Sequence, residues 1–124
     1  MLRTLALLAT LVCAEGETTT PEDRRAIAAT VMNRALANQT SIEQEMFSPS
    51  QYAPLSYCDG GATIQHAVDA AAGAVGIGLP EWWTDQVMNF VAPYALARIA
   101  PRWKRRLDKA GSVPRGHIYW KKRG

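Results

Sequence analysis

The sequence contains only two cysteines, Cys13 and Cys58, among its 124 residues. Two cysteines are too few for a disulfide-rich scaffold, and no spacing of His and Cys residues matches a zinc site. The glycines of residues 73–78 lack the Lys-Ser/Thr ending of a phosphate-binding loop, and no internal repeat or low-complexity tract is visible. We therefore expect neither a metal nor a cofactor. Whether the two cysteines pair with each other stays open.

Long apolar runs are lacking as well. The apolar run near the start of the chain is well short of the roughly 20 residues that a membrane-spanning helix needs, so we expect no stable membrane insertion. Residues 1–14 fit either a short secretory signal that is cut before Glu15 or a retained core helix. In the second interpretation Leu5, Leu8 and Val12 belong to a broad apolar face.

Composition and charge favour a globular protein of one domain, residues 1–124. The hydrophobic fraction is 48% and the charges are scattered, which is unlike a disordered chain. The formal net charge is +3, with the excess near the end of the chain, and such a surface suits a polyanion. Nucleic acid is not the expected partner, because the aromatic residues do not interleave with the Lys/Arg run as a base-stacking surface requires.

Local signals predict a mainly helical chain. Thr20 is a good N-cap and Pro21 a good first residue for a helix that runs to about Asn38 and buries Ile27, Val31 and Ala35. In that helix Asn33 is expected to link neighbouring elements by hydrogen bonds. Further helices are predicted over Ser41–Phe47, where Pro49 would stop the helix, over Thr63–Val75, where His66 is expected to be structural, and over the basic run Arg102–Lys109.

Glu15 is the residue with the clearest chemical potential. It stands where the first apolar run ends, and a partly buried carboxyl has a raised pKa that suits a general acid. The alternative is a Glu at a helix end whose carboxylate is solvated, as most are.

The stretch Leu7–Arg34 resembles the start of the SleB-type cell wall hydrolases, the spore-cortex-lytic enzymes and their bacterial and phage relatives. The family has an apolar helix, a Glu, an acidic Gly-containing turn and an Ala/Val-rich helix that ends in Asn-Arg, and this order is present from Ala6 to Arg34. Weaker matches follow at Phe47-Ser48-Pro49 and Pro101-Arg102-Trp103. The last is Arg115–Trp120, which resembles a closing Gly-x-His-x-Phe/Tyr strand, although Gly116 here directly precedes His117.

The resemblance implies a predominantly helical α+β, lysozyme-like domain with a short sheet built from segments near Asn89 and residues 117–120. It also favours the retained first helix over the secretory signal. The implied activity is that of a peptidoglycan lytic transglycosylase, which cleaves the bond between N-acetylmuramic acid (MurNAc) and N-acetylglucosamine (GlcNAc) and leaves 1,6-anhydro-MurNAc ends. Glu15 would be the single catalytic residue. The expected substrate-binding residues are Phe47, Ser48, Asn89, Phe90, His117 and Tyr119.

Glu17, Glu22 and Asp23 are the other carboxylates close to Glu15 in the sequence. Glu17 is the obvious candidate for a second catalytic group, although two residues along a helix would place it on the opposite side from Glu15. Glu22 and Asp23 are assigned to the start of the next helix, where acidic residues are favourable.

Two other functions remain open. One is a muramidase, which would hydrolyse the same bond with water. The other is a non-catalytic cell-wall-binding or virion structural protein, which would not need a half-buried acid. The expected partners are peptidoglycan glycan strands, with phage or phage-like particle components as a further class. The expected place of action is the cell wall, in the periplasm, outside the cytoplasm or on a virion.

Overall fold

Helices precede a small sheet in the computed structural model of the chain, which describes residues 2–16, 20–48, 51–98 and 105–123. The architecture is of the α+β class: helices and one three-stranded antiparallel sheet with the strand order β1-β3-β2. The helices are α1 (Leu2–Gly16), α2 (Pro21–Asn38), α3 (Ile42–Met46) and α4 (Ile64–Ala74), and the strands are β1 (Val87–Val91), β2 (Leu107–Ser112) and β3 (Ile118–Lys122).

Helix α1 lies in the main core, as the core-helix interpretation of residues 1–14 predicts. Leu8, Leu11 and Val12 are buried in a cluster with Ile27 and with other side chains of α2, α3 and α4, and Leu5 packs against this cluster while partly exposed. Burial of a large aliphatic side chain stabilises a fold by about 1.5–3 kcal/mol. The helix is therefore a large contributor to the stability of this structure.

Helix α2 begins as the sequence predicts. The Thr20 side chain accepts a hydrogen bond from the Asp23 backbone N–H, and Pro21 is the first helical residue. The predicted link through Asn33 is confirmed, because its Nδ2 donates to the carbonyl oxygens of Thr84 and Val87 at 3.2 and 3.0 Å. These bonds join α2 to the start of β1.

Helix α4 packs closely on α2. A Cβ added to Gly73 would lie 2.1 Å from the carbonyl oxygen of Arg25, so only glycine permits this approach. His66 is structural, as predicted: it is the third residue of α4, and its Nδ1 accepts from the Thr63 backbone N–H at 2.9 Å. The Thr63 side chain accepts in return from the His66 N–H, which completes a capping box.

The predicted sheet forms, with one strand more than expected. Strands β1 and β3 pair antiparallel with Phe90 opposite Tyr119, as anticipated for segments near Asn89 and residues 117–120. The helix predicted over Arg102–Lys109 is wrong for Leu107–Lys109, which belong to β2, and Arg102–Lys104 lie outside the described residues. Pairing with β3 supplies the backbone hydrogen bonds, and this tertiary contact overrides the local helical tendency.

Cys13 and Cys58, whose pairing the sequence left open, form a disulfide with a Cα–Cα distance of 5.2 Å. The bridge ties the last turns of α1 to the segment between α3 and α4. Pro49, the predicted stop of α3, lies outside the described residues, although α3 does end before it, at Met46. Within the described ranges, no helix combines the length and apolar character that crossing a membrane requires.

Candidate active site

A cleft with a volume of about 730 Å³ lies between the C-terminal end of α1 and the sheet. Its walls come from four parts of the chain. They are the last turn of α1 with Ala14 and Glu15, the α3–α4 segment with Ala53 and Tyr57, residues 90–95, and residues from the end of β2 to the start of β3. Glu15 is the only acidic residue among the described residues that line this cleft.

Glu15 is half-buried in the last turn of α1, at the edge of this cleft. Its Oε1 accepts a hydrogen bond of 2.9 Å from the backbone N–H of Ala53. Burial raises the pKa of the Glu15 carboxyl, and the nearby charge of Asp23 adds to the rise. The Ala53 N–H bond and His117 act in the opposite direction without cancelling it. Glu15 is therefore a carboxyl that holds its proton to a higher pH than a solvated Glu, as a general acid requires.

Asp23 forms a buried hydrogen-bonded group with His117 and Tyr119. Its side chain is 0% exposed, its Oδ2 lies 2.7 Å from His117 Nδ1, and its Oδ1 accepts from the His117 backbone N–H and the Tyr119 hydroxyl, each at 2.8 Å. Burial acts to raise the pKa of Asp23, but the interactions with His117, followed by the bond from Tyr119, lower it overall. Because a carboxylate only accepts, Nδ1 of His117 carries a proton and donates it to Asp23.

Asp23 belongs to the candidate site, although the sequence predicts for it only a place at the start of α2. It does lie there, but its side chain turns inward to a partner 94 residues away. No local pattern separates an inward Asp from a solvated one in the first turn of a helix. The same contact accounts for the glycine at position 116, because a Cβ there would lie 2.5 Å from the Asp23 carboxyl group. The glycine directly before His117 thus allows the turn to approach Asp23.

Three of the seven predicted site residues meet at the cleft. Glu15, Phe90 and His117 all line it, and the rings of Phe90 and His117 pack edge to face with centroids 5.1 Å apart. The His117 ring is buried, and its Nδ1 is hydrogen-bonded to Asp23.

The other four residues do not line this cleft. Tyr119 is 0% exposed, so no glycan can reach it in this structure. Asn89 precedes Phe90 on β1 and therefore points to the opposite face of the sheet. Phe47 is 58% exposed, so it is not a core residue, and it does not line this cleft. The Ser48 hydroxyl donates to the Gln44 carbonyl oxygen at 3.3 Å.

The cleft is also lined by exposed residues that the sequence did not predict as site residues. Tyr57 and Tyr94 are 65% and 88% exposed, and both line the cleft together with Arg115. A signal existed for two of them. Tyr57 falls within residues 47–61, a stretch rich in Pro, Ser, Gly and Tyr that is typical of a loop, and Tyr94 directly follows Pro93. Loops held by a rigid scaffold often carry binding groups.

A second buried carboxylate supports the wall of the cleft. Glu45 is 1% exposed and accepts hydrogen bonds from Arg34 Nε at 2.9 Å, Asn38 Nδ2 at 3.0 Å and the Tyr52 hydroxyl at 2.6 Å. Burial acts to raise the pKa of Glu45, but these bonds, led by the one from Tyr52, lower it overall. Tyr52 directly precedes Ala53, so this group helps to place the N–H that binds Glu15.

No group of three or more His, Cys, Asp or Glu side chains is arranged to hold a metal ion within residues 2–16, 20–48, 51–98 and 105–123.

Comparisons of the chain with protein-family models, with curated proteins and with solved structures found no match.

Proposed function

We propose that this protein is a peptidoglycan lytic transglycosylase that cleaves the MurNAc–GlcNAc bond with Glu15 as its single catalytic residue. The observation that carries the proposal is a half-buried carboxyl with a raised pKa on the wall of a cleft. A non-catalytic binding protein would have no need to bury an acid in this way. The resemblance of Leu7–Arg34 to SleB-type cell wall hydrolases supplies the substrate class.

The proposed reaction uses Glu15 twice. Protonated Glu15 donates its proton to the glycosidic oxygen, and the bond from the MurNAc C1 to that oxygen breaks. The acetamido group of the substrate stabilises the positive charge on C1. The Glu15 carboxylate then takes the proton of the MurNAc 6-hydroxyl, and O6 bonds to C1 to give the 1,6-anhydro ring. Glu15 ends the cycle protonated, so no water is consumed.

The surroundings of Glu15 favour this mechanism over one with two carboxylates. Most glycosidases place a second Asp or Glu across the bond as nucleophile or base. The charge of Asp23 raises the pKa of Glu15, but Asp23 is wholly buried. Its carboxylate is hydrogen-bonded to His117 and Tyr119. The remaining candidate from the sequence, Glu17, lies outside the described residues.

The exposed tyrosines of the cleft suit a glycan substrate. Tyr57 and Tyr94 present aromatic surface to the cleft that Glu15 also lines, and sugar rings pack on such surfaces through their apolar C–H faces. We propose that they bind the glycan strand in place of Phe47 and Tyr119. The position of an acid between a helix end and a small antiparallel sheet also supports a lysozyme-like fold. The protein would act on the cell wall, in the periplasm, outside the cytoplasm or as a virion component.

A muramidase is the second candidate, and one observation favours it. His117 lines the cleft with Glu15, and its Nδ1 donates to Asp23, so a proton taken from a bound water would have to go to Nε2. A base of this kind beside the acid could activate a water, and the product would then be a reducing MurNAc end instead of an anhydro ring.

Digestion of purified peptidoglycan followed by mass spectrometry tests both candidates, because anhydro and reducing ends differ by one water. We expect anhydro-muropeptides from the wild-type protein and a loss of at least about 10²-fold in rate for Glu15→Gln, since general acid–base catalysis is typically worth about 10²–10⁴-fold. Glu81→Gln removes the same charge from an exposed site and should digest at the wild-type rate. Reducing ends would select the muramidase. If the wild-type protein binds walls but releases no product, the chain is not a lytic enzyme.

A further inference from the structure

The turn between β2 and β3 carries an arginine in an unusual backbone conformation. The Gly116 N–H donates to the Val113 carbonyl oxygen at 2.8 Å, so Pro114 and Arg115 are the central residues of a β-turn. Arg115 has φ = 61°, in the left-handed region, where this turn position ordinarily takes Gly or Asn. Non-glycine residues adopt such angles at an energetic cost and are concentrated at functional sites.

The turn is held from both sides, so Arg115 cannot relax by moving its backbone. The Val113 N–H donates to the His117 carbonyl oxygen at 3.0 Å, and the His117 N–H donates to Asp23. Gly116 is pressed against the Asp23 carboxyl group. The same contacts that orient His117 therefore fix the position of Arg115 in the cleft.

Arg115 forms no ion pair with a residue of the described cleft lining. Arg115 is exposed and lines the cleft with Glu15, and its guanidinium makes no ion pair with a described carboxylate. Glu15 is the only acidic residue of the described lining, and burial disposes it to the neutral form. A ligand in the cleft thus meets a guanidinium that no neighbouring carboxylate neutralises.

We propose that Arg115 forms a carboxylate-binding subsite that recognises the free carboxylates of the stem peptides on MurNAc residues. The inference rests on the proposed function. A guanidinium can bind a carboxylate with two parallel N–H···O bonds, which gives direction as well as attraction. GlcNAc polymers carry no such group. The subsite would place a muramyl residue on one side of Glu15 and would discriminate against neutral glycans of the same shape.

Binding measurements on the Glu15→Gln background test this subsite without interference from turnover. The two ligands are a muramyl tetrasaccharide with free carboxylates on its stems and the same compound with those carboxylates converted to amides. We expect the free-carboxylate ligand to bind about 10-fold or more tightly than the amide, and we expect this preference ratio to fall towards one in Arg115→Gly. Glycine suits the left-handed position, so the Tm of Arg115→Gly should be unchanged or higher.

Arg115→Gln and Arg105→Gln form a matched pair for the charge. Both remove one positive charge from an exposed arginine, but Arg105 does not line the cleft, so only Arg115→Gln should lose the preference. If both variants lost the preference for the free-carboxylate ligand equally, the preference would come from the overall charge of the protein, and the proposed subsite would be overturned. An unchanged preference in Arg115→Gly, with peptidoglycan still digested by the wild-type protein, would overturn the subsite and leave the proposed function standing. Failure of the wild-type protein both to bind and to digest would overturn both.

Discussion

The backbone N–H of Ala53 donates a hydrogen bond of 2.9 Å to Oε1 of Glu15, across 38 residues of chain. The disulfide between Cys13 and Cys58 joins the same two segments beside it. Helix α1 alone would leave the Glu15 side chain free to rotate at its C-terminal end. The orientation of the Glu15 carboxyl group is therefore fixed by the contact between α1 and the α3–α4 segment. It also depends on the groups that hold the α3–α4 segment in place.

Glu15→Gln should stabilise the protein at neutral pH while abolishing its activity. The folded-state pKa of Glu15 is raised above its unfolded value of about 4.3, so between these pKa values the unfolded state releases a proton that the native state keeps. Stability consequently falls as the pH rises through this window, and the full cost is present above the folded pKa. Gln carries no such cost and can still accept the Ala53 N–H bond.

Thermal unfolding at pH 3 and pH 7 checks this expectation. The Tm of Glu15→Gln should exceed that of the wild-type protein at pH 7, and the difference should vanish at pH 3, where the wild-type carboxyl is neutral in both states. Glu81→Gln, an exposed control, should show no such pattern. A variant less stable than wild type at pH 7 would mean that the Glu15 carboxylate is favourably placed and unsuited to act as an acid.

Tyr52→Phe should shift the titration of Glu15. The change removes the 2.6 Å bond to Glu45 at a cost of about 1–3 kcal/mol and loosens the adjacent Ala53 N–H. Because the Ala53 bond lowers the pKa of Glu15, weakening it should raise that pKa and move the alkaline limb of the activity profile to higher pH. NMR titration of the Glu15 carboxyl measures the shift directly. A lower Tm with an unmoved titration would show that Tyr52 stabilises the fold without positioning Glu15.

Asp23→Asn should keep the fold but reverse the proton arrangement on His117. The new amide would present a donor to Nδ1, so the imidazole would have to carry its proton on Nε2. Loss of one member of a buried pair costs about 3–5 kcal/mol. The pKa of Asp23 is lowered in the folded state, so its contribution is present above the unfolded value of about 3.9 and is lost as the pH falls through the folded value.

Urea unfolding as a function of pH and the nitrogen chemical shifts of His117 test this prediction. The stability difference from wild type should be largest near neutral pH and should shrink in acid. Asp85→Asn, at an exposed position, provides the control. If the His117 ring kept its proton on Nδ1 in the Asn variant, Asp23 would not be what sets the tautomer.

Replacing both cysteines by alanine should destabilise the protein by about 4 kcal/mol, the chain-entropy value for a bridge that spans 45 residues. It should also lower activity, because Ala53 and Tyr57 lie on the segment that the bridge holds. Unfolding and digestion with and without reductant measure both effects. Reduction of the wild-type protein should reproduce the variant, and the variant should not respond to reductant. Equal activity of the oxidised and reduced proteins would show that the bridge is not needed to position Glu15.

Most helices of this protein follow from short-range signals. Thr20 and Pro21 mark the start of α2, and the spacing of Ile27 and Val31 marks its buried face, because capping and helical periodicity involve residues only a few positions apart. The end of the first apolar run at Glu15, in the last turn of α1, and the closing strand β3 are also visible in the sequence.

The tertiary structure alone decided which of these residues act together. Asp23 and His117 are 94 residues apart in the chain and form a hydrogen bond in the fold. Tyr119 is buried in the core and does not line the cleft. Phe90 lines the cleft and Asn89 does not, because the register of β1 on β3 turns one face of the strand to the cleft. Leu107–Lys109 became a strand because β3 offered it backbone partners. A sequence specifies each residue's local preferences, whereas burial, pairing and pKa depend on neighbours that only the folded chain brings close.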